Sequence, residues 1–167
     1  YLIQISLVII FMQTILGGWT SSNYAALICP DFPTCQGSWL PKMNFNEGFQ
    51  IPPIGPNYEG GLFSLPARTA IHFSHRVGAL ISCLLICYTL YYSETNKKLS
   101  CPTTISNVRI IFFLTVIQAG LGIANVVLAL PLTIAVGHNI VALLIILTLI
   151  KTLAQKHNIN NSNTLQI

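Results

Sequence analysis

Four stretches of this chain are apolar over about twenty residues each: 1–20, 67–92, 107–129 and 133–154. A hydrocarbon layer about 30 Å thick takes roughly twenty residues of helix to cross, so each stretch is predicted to be a membrane-spanning helix. The first two are separated by a long polar segment, 21–66, rich in Gly, Pro and Asn, which reads as a loop outside the membrane. Residues 156–167 are polar and Asn-rich and are expected to form an unstructured tail. The predicted fold class is therefore an all-α integral membrane protein, with one four-helix bundle over residues 1–155.

Polar residues interrupt the apolar segments in a repeating order. His75 is followed by Arg-Val-Gly-Ala-Leu-Ile and His138 by Asn-Ile-Val-Ala-Leu-Leu, with Ile71 and Ile134 four residues before each. The first and third segments also match, Gln13-Thr-Ile-Leu-Gly17 against Gln118-Ala-Gly-Leu-Gly122, with Asn23 or Asn125 further on. Helices one–two and three–four thus read as two copies of one hairpin, a parallel repeat about an axis along the membrane normal. Gly17, Gly18, Gly120 and Gly122 also suit plain close packing between helices.

An ionisable side chain inside a bilayer is costly and generally functional. His75 follows Pro66 by nine residues and His138 follows Pro131 by seven. At about 1.5 Å per residue, both fall roughly 10–14 Å from the same membrane face. Two imidazoles at one depth on symmetry-related helices suit a haem iron held from both sides. Gly78, Ala79 and Ser82 after His75, and Gly137 and Ala142 around His138, are expected to leave room for the macrocycle. His72, one turn before His75, is the competing ligand, although Ala135 stands at its counterpart. Arg76 and Arg68 are the cations nearest this level. Either suits a haem propionate, since guanidinium presents a planar fork to carboxylates, and Arg68 suits lipid headgroups equally well.

Composition strengthens the membrane reading: 53% of residues are hydrophobic and 7% charged, against about 25% charged in soluble domains. The net charge of +4 comes from scattered residues with no basic stripe, which argues against a nucleic-acid partner. Lys97, Lys98, Arg109, Lys151 and Lys156 place both chain ends and the 93–106 connection inside, and the 21–66 loop outside. The first segment begins at Tyr1 without a basic flank or cleavage site, unlike a signal peptide. It reads as the start of a fragment or of an isolated half.

The outer loop carries Cys29 and Cys35 in Cys-Pro-Asp-Phe-Pro-Thr-Cys. An outer compartment permits a structural disulfide. The rival, a redox-active pair, ordinarily needs a second cysteine pair as relay. Cys83 and Cys87 read as buried small residues and Cys101 as a free thiol. Trp39, Phe45, Phe49 and Tyr58 are expected to cap the histidine level or to lie at the interface.

These residues resemble the haem A synthase family. The matching stretches are Leu-Gly-Gly-Trp-Thr-Ser-Ser-Asn-Tyr-Ala-Ala-Leu at 16–27, Cys-Pro-Asp-Phe-Pro-Thr-Cys-Gln-Gly at 29–37 and Tyr-Glu-Gly-Gly at 58–61. They continue with Ala-Arg-Thr-Ala-Ile-His-Phe-Ser-His-Arg-Val-Gly-Ala at 67–79, Gln-Ala-Gly-Leu-Gly-Ile-Ala-Asn-Val-Val-Leu at 118–128 and Ala-Val-Gly-His-Asn at 135–139. The resemblance implies two similar four-helix halves, each with a histidine pair. It also implies oxidation of the C8 methyl of haem O to the formyl of haem A, for cytochrome c oxidase biogenesis. In that pattern the substrate-binding half carries a glutamate three residues before the histidine of its second helix. His72 stands there in this chain, and none of the four segments contains an acidic residue.

The chain therefore resembles the C-terminal half, implying a haem b cofactor on His75 and His138. The implied partners are haem, membrane lipid, an N-terminal half or second protomer carrying the haem O site, and haem O synthase. The implied location is a bacterial or mitochondrial inner membrane, with activity only in a complete eight-helix assembly. Two histidines close both axial positions, which suits electron exchange and leaves no site for oxygen. The alternatives are a stand-alone b-type cytochrome, disfavoured because no second histidine pair lies deeper in the helices, and a thiol–disulfide oxidoreductase using Cys29 and Cys35.

Overall fold

A computed structural model describes residues 1–51, 57, 59–97 and 101–164, with side chains through Gln155. Four long helices, α1 (Leu2–Ser22), α3 (Leu65–Thr95), α4 (Pro102–Val127) and α5 (Leu132–Thr164), account for most of the chain, with a four-residue helix, α2 (Phe45–Gly48), in the loop. No strand occurs among the described residues. All four long helices contain windows long and apolar enough to cross a membrane. Large apolar side chains such as Phe11, Leu84, Phe113 and Leu143 remain exposed around the bundle, as a surface solvated by lipid requires.

Each long helix packs against two neighbours in the ring α1–α3–α4–α5, while α1 and α4, and likewise α3 and α5, bring no Cα atoms within 8 Å of each other. The histidine-bearing helices α3 and α5 therefore stand at opposite corners. A core of Ile3, Ile10, Ile86, Ile111, Ile145 and Leu149 fills the half of the bundle remote from the long loop. Polar pairs tie that half together: Ser6 meets Thr89 at 3.4 Å, and Asn107 donates to Gln155 at 2.8 Å. Beside it Glu94 pairs with Lys97 at 3.1 Å and Arg109 at 2.6 Å. Lys98 lies outside the described residues.

At the loop end a smaller cluster of Ala25, Phe63, Ala67 and Ile71 packs with Trp19. The indole N–H of Trp19 donates to the Gly48 carbonyl at 2.9 Å. The Asn44 side chain caps α2 by accepting from the Glu47 N–H at 3.2 Å. Glu47 in turn accepts from the Ser64 N–H and hydroxyl, each at 2.7 Å, at the start of α3. These bonds, led by that from the Ser64 N–H, hold the Glu47 carboxyl below its usual pKa. Gly48 has no room for a Cβ, which would stand 2.7 Å from the Ala67 carbonyl.

The bounds differ from expectation at two places. α4 starts at Pro102, where proline is tolerated in the first turn because its missing N–H has no helical partner there. α5 continues through Thr164, so the backbone of the expected tail is helical to that residue. Trp39 and Phe45 are exposed, and Tyr58 lies outside the described residues. Trp19 and Phe63 cover the bundle end instead, with ring centroids 6.3 Å apart.

Candidate haem-binding site

Gln13 and Gln118 each lie nine residues before the last residue of their helix, Ser22 in α1 and Val127 in α4. That places both about 13–14 Å from the loop end, and each meets one of the matched histidines. Gln13 Nε2 lies 3.0 Å from His75 Nδ1 and donates to the His75 carbonyl at 2.8 Å. Gln118 Nε2 lies 3.2 Å from His138 Nε2. One turn further along each helix stands a glycine against the same ring. A Cβ at Gly17 would sit 3.1 Å from His75 Cε1, and one at Gly122 would sit 3.2 Å from His138 Cε1. The repeat read from the sequence is thus a repeat of two Gln–Gly–His stations.

The packing at this level is unlike the rest of the bundle. No apolar side chain is buried in α1 after Ile10, in α3 between His72 and Leu85, in α4 after Ile111 or in α5 before Ile145. His75 and His138 are both half-buried there. Among the described residues, the buried side-chain atoms lacking a hydrogen-bond partner are Arg68 Nε, Gln118 Oε1, Asn125 Oδ1 and His138 Nδ1. Such atoms are rare because each costs about 1–3 kcal/mol, and two of these four belong to one station. A groove of about 610 Å³ between α1 and α3 also opens beside it, lined by Gln13, Trp19, Phe49 and Gly78 among others.

Among the described residues no cluster of three or more His, Cys, Asp and Glu side chains could hold a bare metal ion. Two histidines on opposite corners, with an underpacked level between them, fit a planar group that brings its own equatorial ligands. His75 Nε2 makes no hydrogen bond among the described residues, whereas that of His138 is held by Gln118.

The glycines at this level differ in what they face. Gly17 and Gly122, on the neighbouring helices, face the rings, while Gly18 and Gly120 face open space. Gly78 is filled by the Gln13 amide, whose Oε1 would be 2.2 Å from an added Cβ. Gly137 would meet Leu121 at an ordinary 4.0 Å.

His72 is buried with both ring nitrogens taken. Nε2 accepts from Arg76 Nε at 3.0 Å, so Nδ1 carries the proton and donates to the Ala25 carbonyl at 2.8 Å. A side chain so engaged has no lone pair left for a metal.

Arg76 faces the loop. Its guanidinium donates to the carbonyls of Thr34 at 2.7 Å, Cys29 at 2.9 Å and Asp31 at 2.8 Å, and lies 5.7 Å from the Phe32 ring centroid. With the bond to His72, four of its five N–H groups are used. Arg68 donates once, to the Gly60 carbonyl at 3.2 Å, and its Nε is one of the unpartnered atoms.

The structure pairs the Cys29 and Cys35 sulfurs, with Cα atoms 4.5 Å apart. Asp31 organises the turn between them, accepting from Thr34 Oγ1 and from the N–H groups of Gln36 at 2.6 Å and Gly37 at 3.0 Å. The Thr34 bond foremost lowers its carboxyl pKa to about 2. Cys83, Cys87 and Cys101 are free; Cys83 and Cys101 are half-buried, and Cys87 is exposed on the bundle surface, not buried as its apolar setting predicted.

Fold and site together define an integral membrane four-helix bundle with two matched histidine stations near one end. Residues 1–150 match the COX15-CtaA model, described as cytochrome oxidase assembly protein. The chain belongs to that family. It is 42% identical over 151 residues to a heme A synthase of Shewanella oneidensis, covering 87% of this chain and 43% of that protein. A heme A synthase of Orientia tsutsugamushi is 27% identical over 151 residues, covering 88% of this chain and 38% of its own length. One from Methylobacterium radiotolerans is 25% identical over 140 residues, covering 83% and 35%. The chain thus spans less than half the length of these curated relatives. No solved structure matches it.

Proposed function

We propose that this chain is the haem b-binding half of a haem A synthase, with His75 and His138 as the axial ligands. The observation that carries the proposal is the pair of Gln–Gly–His stations, on opposite corners of the bundle, at the one level where no apolar side chain is buried. When bound, the group would supply one-electron exchange, and His75 and His138 are the residues that would hold its iron. The chain's own residues orient the rings through Gln13 and Gln118 and close the loop end with Trp19, Phe63 and α2. They also offer Arg68 Nε, with the remaining N–H of Arg76, to a carboxylate. The oxidation of haem O to haem A, for cytochrome c oxidase, belongs on this reading to the complete assembly. There another half, or a second protomer, carries the substrate haem. The 23–64 loop lies on the periplasmic or intermembrane-space side, where Cys29–Cys35 persists as a structural disulfide.

Absorption spectroscopy of the full chain, expressed with haem supply and purified in detergent, tests this. The expected result is a reducible low-spin b-type spectrum at one haem per chain, lost in both His75→Ala and His138→Ala but retained in His72→Ala. Full haem retention in either of the first two variants would remove that residue from the ligand set. A wild-type chain without haem would sink the proposal.

A further inference from the structure

The two stations are built alike yet grip their rings differently, and beside them one residue differs between the histidine helices. The register that places His75 on His138 places Gly78 on Val141. At the first station the Gln13 amide lies over Gly78, where a Cβ would be 2.2 Å from Oε1. From there Nε2 reaches both His75 Nδ1 and the His75 carbonyl. At the second station Val141 stands at the place of Gly78. Gln118 meets Nε2 of His138 instead, and its own Oε1 and His138 Nδ1 remain buried without partners.

We propose that Gln13 and Gln118 are paired positioning residues, which fix the rotation of the His75 and His138 rings, and that Gly78 against Val141 decides which ring nitrogen each amide holds. The inference rests on the haem reading above. A group hydrogen-bonded to the far nitrogen of an axial histidine sets the ring's orientation and its basicity, and through them the properties of the metal. At His75 the Gln13 amide N–H donates to Nδ1, which leaves the ring proton on Nε2, so a metal taken through Nε2 requires that proton to move to Nδ1 and the amide to turn its oxygen toward it. At His138 the Gln118 amide N–H donates to Nε2, so a metal taken there displaces the amide itself. The Gly78→Val substitution is then expected to push Gln13 off its seat and give the first station the arrangement of the second.

The test uses the full haem-bearing chain carrying Gln13→Leu, Gln13→Glu or Gln118→Leu, read by haem content, low-temperature EPR and midpoint potential. The wild-type spectrum comes first: if it shows no bis-histidine low-spin signal, the haem reading fails before this inference is reached. With that signal present, Gln13→Leu is expected to keep haem while shifting the largest g value and the midpoint potential. Gln13→Glu is expected to move the potential down, because a carboxylate accepts a hydrogen bond from Nδ1–H and makes the ligand more basic. Gln118→Leu is expected to quicken haem uptake by the haem-free chain, since no amide then occupies Nε2. Unchanged EPR and potential in both Gln13 variants at full haem content would overturn the proposal. So would loss of haem in Gln13→Leu and Gln13→Glu alike, because the glutamines would then be packing groups.

Discussion

Replacing Arg76 by Met separates what holds the loop from what holds the bundle. The substitution keeps an unbranched apolar stem and removes three bonds to loop carbonyls and one to His72. A hydrogen bond to a charged group contributes about 1.5–3 kcal/mol when formed inside a protein. Arg76 is only half-buried, so the freed carbonyls can rehydrate, and a net loss of about 2–3 kcal/mol in loop docking follows. That corresponds to roughly 30- to 150-fold more frequent opening. Hydrogen exchange of the detergent-solubilised chain, read by mass spectrometry, reports it directly. Peptides covering 25–38 are expected to exchange faster by that factor, while peptides from α4 and α5 stay as in the wild type. The Cys29–Cys35 pairing survives the substitution, so faster exchange reports undocking and not loss of the cross-link. Exchange in 25–38 within twofold of wild type would refute the reasoning. Loss of haem at the same time would mean that Arg76 also acts on the cofactor, through the N–H that the loop and His72 leave free.

Three other outcomes follow from the geometry. Gly17→Ala and Gly122→Ala put a Cβ 3.1 and 3.2 Å from an imidazole carbon, so each ring must give by a few tenths of an ångström. Overpacking of this kind costs about 1–3 kcal/mol, and both variants should lower the thermal midpoint of the haem-bearing chain, whereas Gly18→Ala and Gly120→Ala should not. The Asp31 carboxyl, lowered from 3.8 to about 2 chiefly by Thr34, lends the turn stability that is present above pH 3.8 and lost as pH falls through about 2. Pepsin cleavage of the 25–38 segment should therefore rise below pH 3, and Asp31→Asn should show the raised cleavage already at pH 4. Cys29→Ser should speed cleavage of the same loop with the haem spectrum unchanged, and a loss of haem reducibility instead would favour a thiol relay.

Much of the fold was legible because membrane helices are written in consecutive apolar residues. All four spans lie within five residues of their predicted starts. The late start read for α4 came from Thr103, Thr104 and Ser106, polar residues that look like loop but form a first turn behind Pro102. The short α2 was overlooked although Asn44-Phe-Asn-Glu47 is a helix-start signature. The match of Gln13 with Gln118 and of His75 with His138 was visible as a register, and in the structure each glutamine meets the histidine of its own hairpin. What the register could not supply was tertiary. Arg76 is occupied by carbonyls some 42 to 47 residues earlier, and backbone acceptors leave no mark in a sequence. His72 reads as a spare ligand in the sequence, but the Ala25 carbonyl and Arg76 saturate it.

The two hairpins diverge where their connections differ. In the first, a loop of some forty residues joins α1 to α3, and α3 carries His72 and Arg76 to hold it. In the second, Leu128–Pro131 alone join α4 to α5, closed by a bond of 2.7 Å from the Leu130 N–H to the Asn125 carbonyl. There is no long loop to hold, and Ala135 and Asn139 stand where His72 and Arg76 would be. A buried charge is retained only where partners await it, so the cation belongs to the hairpin with the loop. The Gln–Gly–His level precedes either connection and needs the same geometry from both helix pairs, and there the two copies agree. Transplanting the pair as Ala135→His with Asn139→Arg should therefore destabilise the chain in thermal unfolding, because α5 has no carbonyl cage to receive the guanidinium. A neutral result would mean that the loop does not explain the divergence.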